Sequence, residues 1–314
     1  MIESKNNEGI SDLEQQEWRE TYRSYRYLEH ISELDVINRK EDILGNLLIF
    51  EEDGSPAFDQ TIQMKGLIER LIHVDEEMIQ RGKPMDSNLL KDGSRYLDKY
   101  QYIQRAIRVW GDRKLMMGEY LVKYGKSKHL SQVMDVGKIR VNPASYYDDP
   151  SLNQAIQDKE LEQKIYFPKG TKLKRQMDSG NYEEIKGILN ISYTDKSPTD
   201  FYVYCLTKSY QHRLFDDFNY DACVLICDVN EFFRRFLDSL KKTYSDWFLA
   251  SGEVQYYDPF FLSSPLNIPF SKHFRFWYQG EFRIVFKPKS PIEKLEPIDF
   301  YIGRLDDCCE LILL

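Results

Sequence analysis

The sequence lacks the short motifs that mark the commonest enzyme classes. It contains no GxxxxGK[ST] phosphate loop, no GxGxxG dinucleotide fingerprint, no GxSxG turn and no HExxH zinc motif. Its five histidines are scattered, and its five cysteines do not follow the spacing of zinc ligands. A metal site, or a phosphate-transfer enzyme of a familiar kind, is therefore not expected.

The sequence also lacks an excess of positive charge and long apolar runs. The net charge is −8, so the overall charge gives no sign of the basic footprint of a nucleic-acid binder, although a local basic patch is compatible with it. No segment approaches the roughly 18 apolar residues of a membrane span, and the first thirty residues contain no apolar signal region. The odd cysteine count favours reduced thiols. Together these features predict a cytoplasmic protein without membrane contact.

The chain changes character near residue 115. Residues 1–114 are predicted to form a helical N-terminal region, with a capping box at Ser11 and Glu14 and further helices over 61–82 and 89–111. Residues 115–314 alternate short β-rich runs with turns, which predicts an α+β domain. The helices expected in that domain cover 127–137, part of 145–161 after a turn, and 229–248.

One predicted strand has a carboxylate in its middle. The segment FWYQGEFRIVFKP, residues 276–288, is rich in aromatic and β-branched residues, yet alternation places Gln279, Glu281 and Arg283 together on one face. One interpretation is that Glu281 pairs with Arg283, or with a lysine of a neighbouring strand, on a solvated face. Such a pair contributes only about 0.2–1 kcal/mol, so it permits the glutamate without requiring it. The other interpretation is that the carboxylate has a chemical task.

Three segments in order resemble the ADP-ribosyltransferase superfamily. In that superfamily a first strand supplies His or Arg, a second supplies an aromatic residue or a Ser-Thr-Ser motif, and a late strand carries Gln/Glu-x-Glu. The corresponding segments are LVKYG (121–125), FYVYCLTKS (201–209) and QGE (279–281). The first segment and the turn YDDP (147–150) also resemble a bacterial domain family of unknown function. The resemblance covers about residues 116–312 and implies the superfamily's split mixed β core over residues 116–314.

The resemblance implies that NAD is a substrate and assigns roles to particular residues. Glu281 would stabilise the positive charge that develops on the ribose, as carboxylates do in glycoside cleavage, and Gln279 would contact the acceptor. Thr207 and Ser209 would position the nicotinamide, and Tyr204 or Tyr147 would stack on it. The full set of implied NAD-binding residues is Lys123, Tyr124, His129, Tyr147, Asp148, Tyr204, Thr207 and Ser209.

The sequence also departs from the superfamily pattern. Lys123 or Tyr124 stands where His or Arg is usual, His129 lies where related DNA-modifying toxins have asparagine, and Asp148 replaces an asparagine. Simpler structural roles stay open for several residues. His129 can be a helix-start residue, the segment 147–150 can be a plain turn, and Thr207 and Ser209 can be ordinary strand-end residues.

Two functions are compatible with these observations. The first is an intracellular bacterial toxin or anti-phage effector that transfers ADP-ribose from NAD to RNA, DNA or a protein. Its aromatic residues in the range 253–278 would stack on an unpaired base, and its N-terminal region would dock an antitoxin or a target. The second is a catalytically inactive module on the same fold that binds a ligand or a partner.

Overall fold

A computed structural model gives the architecture of the chain. It describes residues 10–51, 53–59, 61–84, 100–116, 118–167, 170–178, 180–186, 191–261 and 265–314. Within this part of the chain, no helix combines the length and the apolar character that a membrane crossing requires.

The N-terminal region is mainly helical, as predicted. Its helices are α1 (Asp12–Ser24), α2 (Glu33–Leu47), α3 (Lys65–Gln80) and α4 (Tyr100–Trp110). The predicted capping box begins α1: the Glu14 amide donates to the Ser11 hydroxyl, and the Ser11 amide donates to the Glu14 carboxylate. The helix predicted over 89–111 is seen as α4, and its earlier part lies outside the described residues.

The N-terminal region also contains two short strands that the sequence did not indicate. Strands β1 (Leu48–Phe50) and β2 (Pro56–Phe58) form a short antiparallel hairpin directly after α2. Each strand has only three residues, which is too short for an alternating pattern to stand out in the sequence.

Residues 118–314 contain short strands and three α-helices among the described residues. The helices are α5 (Ser127–Val136), α6 (Arg213–Asp217) and α7 (Val229–Tyr244). The strands are β3 (Leu121–Gly125), β4 (Lys138–Pro143), β5 (Glu162–Tyr166), β6 (Lys174–Gln176), β7 (Tyr182–Glu184), β8 (Ser192–Lys196), β9 (Tyr202–Thr207), β10 (Ala222–Ile226), β11 (Phe248–Glu253), β12 (Gln255–Tyr257), β13 (Ser271–His273), β14 (Glu281–Lys287), β15 (Ile298–Tyr301) and β16 (Cys309–Leu313). The predicted α+β class is confirmed. The helix expected within 145–161 is not formed, because only a 3-10 turn, Ala144–Asp148, and irregular turns occupy that segment.

The central sheet has the strand order β11-β14-β9-β3-β10-β16, with β4 joining β9 and β15 joining β4. The pairings of this sheet are antiparallel, so the expected mixture of strand directions in the core is not found. Within the described residues, the parallel pairing joins only the short strands β12 and β13.

The sheet is divided near its middle. Strands β14 and β9 pair along their length, from Glu281 opposite Thr207 to Phe286 opposite Tyr202. Strands β3 and β10 pair in the same continuous way. Between β9 and β3, however, the ladder contains the single pair Val122 and Thr207. The two halves of the sheet therefore separate next to this pair, which leaves room for side chains between them.

Helices cover both faces of the sheet. On one face α7 packs Phe232, Phe236 and Leu240 against the apolar side of β9, β10 and β14. On the other face α4 contributes Ala106 to a cluster that contains Tyr124 of β3. Helix α4 belongs to the predicted 1–114 region, yet it packs against the sheet of the predicted 115–314 domain. The division into two domains stays a prediction.

Candidate functional site

The segment around Glu281 is not one continuous strand. Residues Phe274–Gln279 form a 3-10 helix that ends at Gly280, whose φ of 53° is left-handed, and β14 begins at Glu281. The predicted alternation of faces therefore holds only from Glu281 onward. In β14, Ile284 and Phe286 face the main core, whereas Glu281 and Arg283 lie on the opposite face.

Glu281 belongs to a buried cluster of four charged side chains. Its Oε1 lies 2.7 Å from Lys272 Nζ, and its Oε2 lies 2.8 Å from Arg283 Nε. Glu160 completes the cluster with two hydrogen bonds from Arg283, of 2.7 and 2.8 Å. The side chains of all four residues are at most 7% exposed. Pairing of Glu281 with Arg283 and a lysine is thus confirmed, but the pair is buried and not solvated. We call Glu160, Lys272, Glu281 and Arg283 the ion-pair cluster.

The ion-pair cluster keeps Glu281 ionised. Burial alone would raise the pKa of Glu281, but the Lys272 ammonium and the Arg283 guanidinium outweigh burial and lower this pKa to about 2. The Glu281 and Glu160 carboxylates in turn raise the pKa of Lys272 against the opposing effect of burial. A carboxylate has about four acceptor positions. The two bonds to cations therefore leave Glu281 able to accept a further hydrogen bond from a hydroxyl group.

A cavity of about 90 Å³ lies beside the cluster, where β3 and β9 separate. We call it the small hollow. Its lining brings together six of the predicted site residues, which are Lys123, Tyr124, Tyr147, Thr207, Gln279 and Glu281. These residues come from β3, the 3-10 turn, β9, the end of the 3-10 helix Phe274–Gln279 and the start of β14. Segments far apart in the sequence therefore meet at one place.

Other predicted site residues lie elsewhere. His129 is exposed on α5, and Asp148 is exposed at the end of the 3-10 turn; neither lines the small hollow. His129 and Asp148 therefore do not join Tyr124, Tyr147 and Thr207 at the small hollow, and the plainer roles of helix and turn residue fit both positions. Tyr204 packs against Phe236 in the core. Ser209 lines a second, larger cavity instead of the small hollow.

Lys123 has an unusual environment for a lysine. Its Nζ donates to the Cys205 carbonyl at 2.9 Å and lies 4.4 Å from the centre of the Tyr204 ring. Burial lowers the pKa of Lys123. The ammonium therefore lies between the two halves of the sheet. Lys123 is one of the two residues, with Tyr124, that stand where the superfamily pattern has His or Arg.

Gln279 is tied to the same cluster. Its Oε1 accepts from Lys272 Nζ at 3.1 Å, and its Nε2 donates to the Ala155 carbonyl at 2.7 Å. The strand alternation predicted that Gln279 and Glu281 share a face. Both side chains do contact Lys272. They are brought together by the 3-10 helix and the turn at Gly280, because Gln279 is not part of strand β14.

Sequence reasoning missed Lys272 and Glu160. Lys272 is a lone lysine in the largely apolar run IPFSKHFRFW. A lysine among apolar residues was the one feature of the sequence that could have indicated a buried charge. Glu160 lies in a polar segment that was predicted to be helical, and nothing in the sequence links it to Arg283. Both residues line the small hollow and hold the charges that surround Glu281.

A larger cavity of about 970 Å³ adjoins Glu281 on another side. We call it the large cavity. Its walls come from the N-terminal region, including Ile49 and Gln63, and from the aromatic segment within 253–278, including Tyr256 and Trp277. Among the described residues, no group of three or more acidic, histidine or cysteine side chains is arranged to hold a metal ion.

Comparisons with known proteins give no assignment. No family model, curated protein or solved structure matches this chain.

Proposed function

We propose that the protein is an NAD-dependent ADP-ribosyltransferase. The main support for the proposal is that one cavity, the small hollow, is lined by Lys123, Thr207, Gln279 and Glu281. The resemblance in sequence concerned only the order of three segments. Their strands β3, β9 and β14 are also neighbours in one sheet, which supports the same interpretation independently of that order.

The chemistry suits an ionised carboxylate. Transfer breaks the bond between the ribose C1′ and the nicotinamide nitrogen; nicotinamide leaves with the electron pair, and an acceptor that loses a proton forms the new bond to C1′. Positive charge develops on the ribose during this step. A carboxylate with a pKa of about 2, such as that of Glu281, stays charged at neutral pH and stabilises such a cation most strongly where water is excluded.

The dimensions set limits on how NAD would fit. A volume of about 90 Å³ holds a ring-sized group, whereas sites for whole ligands usually have about 300–1,000 Å³. The nicotinamide would therefore enter the small hollow, where Tyr147, Phe218 and Tyr220 offer aromatic surfaces. The rest of the dinucleotide would lie outside the small hollow.

The acceptor and the biological setting belong to the same proposal. RNA, DNA or a protein would receive the ADP-ribose, and the protein would act in the bacterial cytoplasm as a toxin or an anti-phage effector. An antitoxin would bind the N-terminal region. This region contacts the segment before Glu281 through Asn46, whose side chain bonds the Phe274 carbonyl and the Tyr278 amide. A partner bound there would therefore affect the site directly.

The test is release of nicotinamide from labelled NAD in the presence of cell extract. Glu281→Gln should slow release by about 100-fold or more, the usual cost of removing one transition-state contact. Glu77→Gln is the matched control, because Glu77 is also buried and bound by Tyr22, Arg26 and Arg81, but does not line either cavity. Equal release by the parent and Glu281→Gln would contradict the proposal. Toxicity on expression should be lost in the same variant.

One observation favours the alternative, an inactive binding module. Both Glu281 oxygens already accept charged hydrogen bonds from Lys272 and Arg283, so the carboxylate is held by protein cations on both sides. Calorimetric titration with NAD separates the two functions. Binding of NAD without release of nicotinamide, in the presence of extract, would support the binding module and exclude the transferase.

A further inference from the structure

The large cavity lies between the N-terminal region and the α+β domain. Ile49 and Gln63 line it from one side, and Gln211, His212 and Trp277 line it from the other. Its volume of about 970 Å³ is in the range of small-molecule sites, about 300–1,000 Å³. The two parts of the chain therefore enclose a space large enough for a nucleotide-sized ligand.

Two aromatic rings in this cavity are unusually exposed. Trp277 and Phe261 are each 41% exposed. Phe261 contacts the Tyr27 ring, and the Arg70 guanidinium lies 5.1 Å from its centre. No ring or cation of the described residues stacks on Trp277. The indole therefore presents a face that a flat ligand can cover.

Neutral polar groups accompany the rings. The side chains of Gln63 and His212 make no hydrogen bond to another described residue, and Gln211 uses only its Nε2, on the Ser209 hydroxyl. Burial lowers the pKa of His212, so its imidazole is neutral at pH 7 and offers one donor and one acceptor. Amides and a neutral imidazole match the donor and acceptor pattern of a base edge.

The charges in this cavity are already balanced. Arg70 contacts Asp258 at 3.4 Å, Lys208 contacts Glu253 at 2.7 Å, and Arg213 contacts Asp217 at 2.7 Å. Each cation that lines the cavity within the described chain thus has a carboxylate partner. A ligand that bound mainly through phosphate groups would find no surplus positive charge here.

We propose that the large cavity binds a nucleobase, stacked on Trp277 and hydrogen-bonded at its edge by the neutral polar groups. The base can belong to a mononucleoside or to an unpaired position in a single strand, since both present the same ring. This inference does not depend on the transferase chemistry, because it concerns recognition of a ring and not cleavage of NAD.

The test is calorimetric titration with adenosine, guanosine, cytidine and uridine, and with a mixed-sequence single-stranded hexanucleotide. We expect saturable binding that Trp277→Ala weakens about tenfold, in line with the usual loss of one base-stacking contact. Tyr301→Ala is the control, because Tyr301 is 60% exposed on β15 and does not line the cavity. It should bind like the parent. Binding of a nucleoside would identify the free base as sufficient, and binding of the hexanucleotide alone would identify a strand as the source.

Three results would overturn the proposal. They are the absence of saturable binding by any of these ligands, unchanged affinity in both Trp277→Ala and Phe261→Ala, and affinity for the hexanucleotide that falls steeply with salt, as phosphate contacts require. Thermal melts would verify that the variants are folded. Lys123→Met separates this proposal from the transferase, because Lys123 lines only the small hollow. That variant should keep base affinity whether or not it cleaves NAD.

Discussion

Arg39 of helix α2 and Asp258 form a buried two-bond ion pair that joins the N-terminal region to the segment before Glu281. The guanidinium contacts the two carboxylate oxygens at 3.0 and 2.7 Å, and both residues are at most 5% exposed. Arg39 also lies 4.9 Å from the centre of the Phe260 ring. A buried ion pair with little access to water therefore links the N-terminal region to the α+β domain.

Removing one partner of this pair should be costly. Arg39→Met leaves the buried Asp258 with the Phe260 amide at 3.0 Å and, as its remaining cation, the more distant Arg70 at 3.4 Å. The loss should lower the free energy of unfolding by about 3–5 kcal/mol. Urea unfolding monitored by circular dichroism measures the change. The exposed pair Arg304 and Asp306 is the control, since Arg304→Met should cost less than about 1 kcal/mol. Similar losses in the two variants would contradict the argument.

Asn46 should affect both stability and the site. Its Nδ2 donates to the Phe274 carbonyl and its Oδ1 accepts from the Tyr278 amide, each at 2.9 Å, so it holds both ends of the 3-10 helix before Glu281. Asn46→Ala leaves the buried Phe274 carbonyl and the partly buried Tyr278 amide without that partner and should cost about 2–4 kcal/mol. Under the proposed function, the affinity for NAD should also fall.

The matched variant for Asn46 is Asn153→Ala, at an exposed asparagine whose side chain caps the nearby Ala155 amide. It should change the free energy of unfolding by less than about 1 kcal/mol. Urea unfolding and NAD titration of both variants check the prediction. It fails if Asn46→Ala is as stable as the parent.

Two glycines with left-handed backbone should respond differently to alanine. Gly137 has φ 65°, and a Cβ there would lie 2.6 Å from the Gly303 amide nitrogen, so Gly137→Ala should cost about 3 kcal/mol or more. Gly280 has φ 53° but no atom within 4 Å of such a Cβ. Gly280→Ala should therefore cost only the backbone strain of about 1 kcal/mol. Thermal unfolding of the two variants gives the comparison, and equal losses would show that crowding at Gly137 is unimportant.

The ion-pair cluster should make stability depend on pH in the acid range. The folded pKa of Glu281, about 2, lies below its ordinary value of 4.5. Its contribution is therefore present above about pH 4.5 and is lost as the pH falls toward 2. Urea midpoints at several pH values between 7 and 3 measure this loss. Glu281→Gln should show a flatter dependence than the parent over the same range, and an unchanged slope would contradict the assignment.

Local sequence signals predicted the elements that local interactions determine. Helix α7 has strong apolar periodicity, and α5 ends at Gly137, where glycine adopts the left-handed conformation. The prediction of a strand over 276–288 is wrong for its first residues, which form a 3-10 helix. There, the bonds from Asn46 and the turn at Gly280 override the strand propensity of the aromatic residues.

The candidate site was predictable only where its residues belong to the segments that carry the resemblance. Lys123, Thr207 and Glu281 were singled out from the order of segments, and they do meet at the small hollow. Lys272 and Glu160 could not be found in this way. Their contacts with Glu281 and Arg283 are set by the tertiary packing of irregular segments, which leaves no regular spacing in the sequence.

The strand order has a consequence for the order of events in folding. Strand β3 lies between β9 and β10, which follow it only after a long intervening segment, and β10 pairs with β16 at the end of the chain. Pairings between distant segments form slowly, because the long loop must close first. Helix α3 contacts both α1 and α2, and the three helices lie within a short stretch of sequence, so they can assemble early during synthesis. The sheet can therefore be completed only after β16 has been synthesised and has paired with β10.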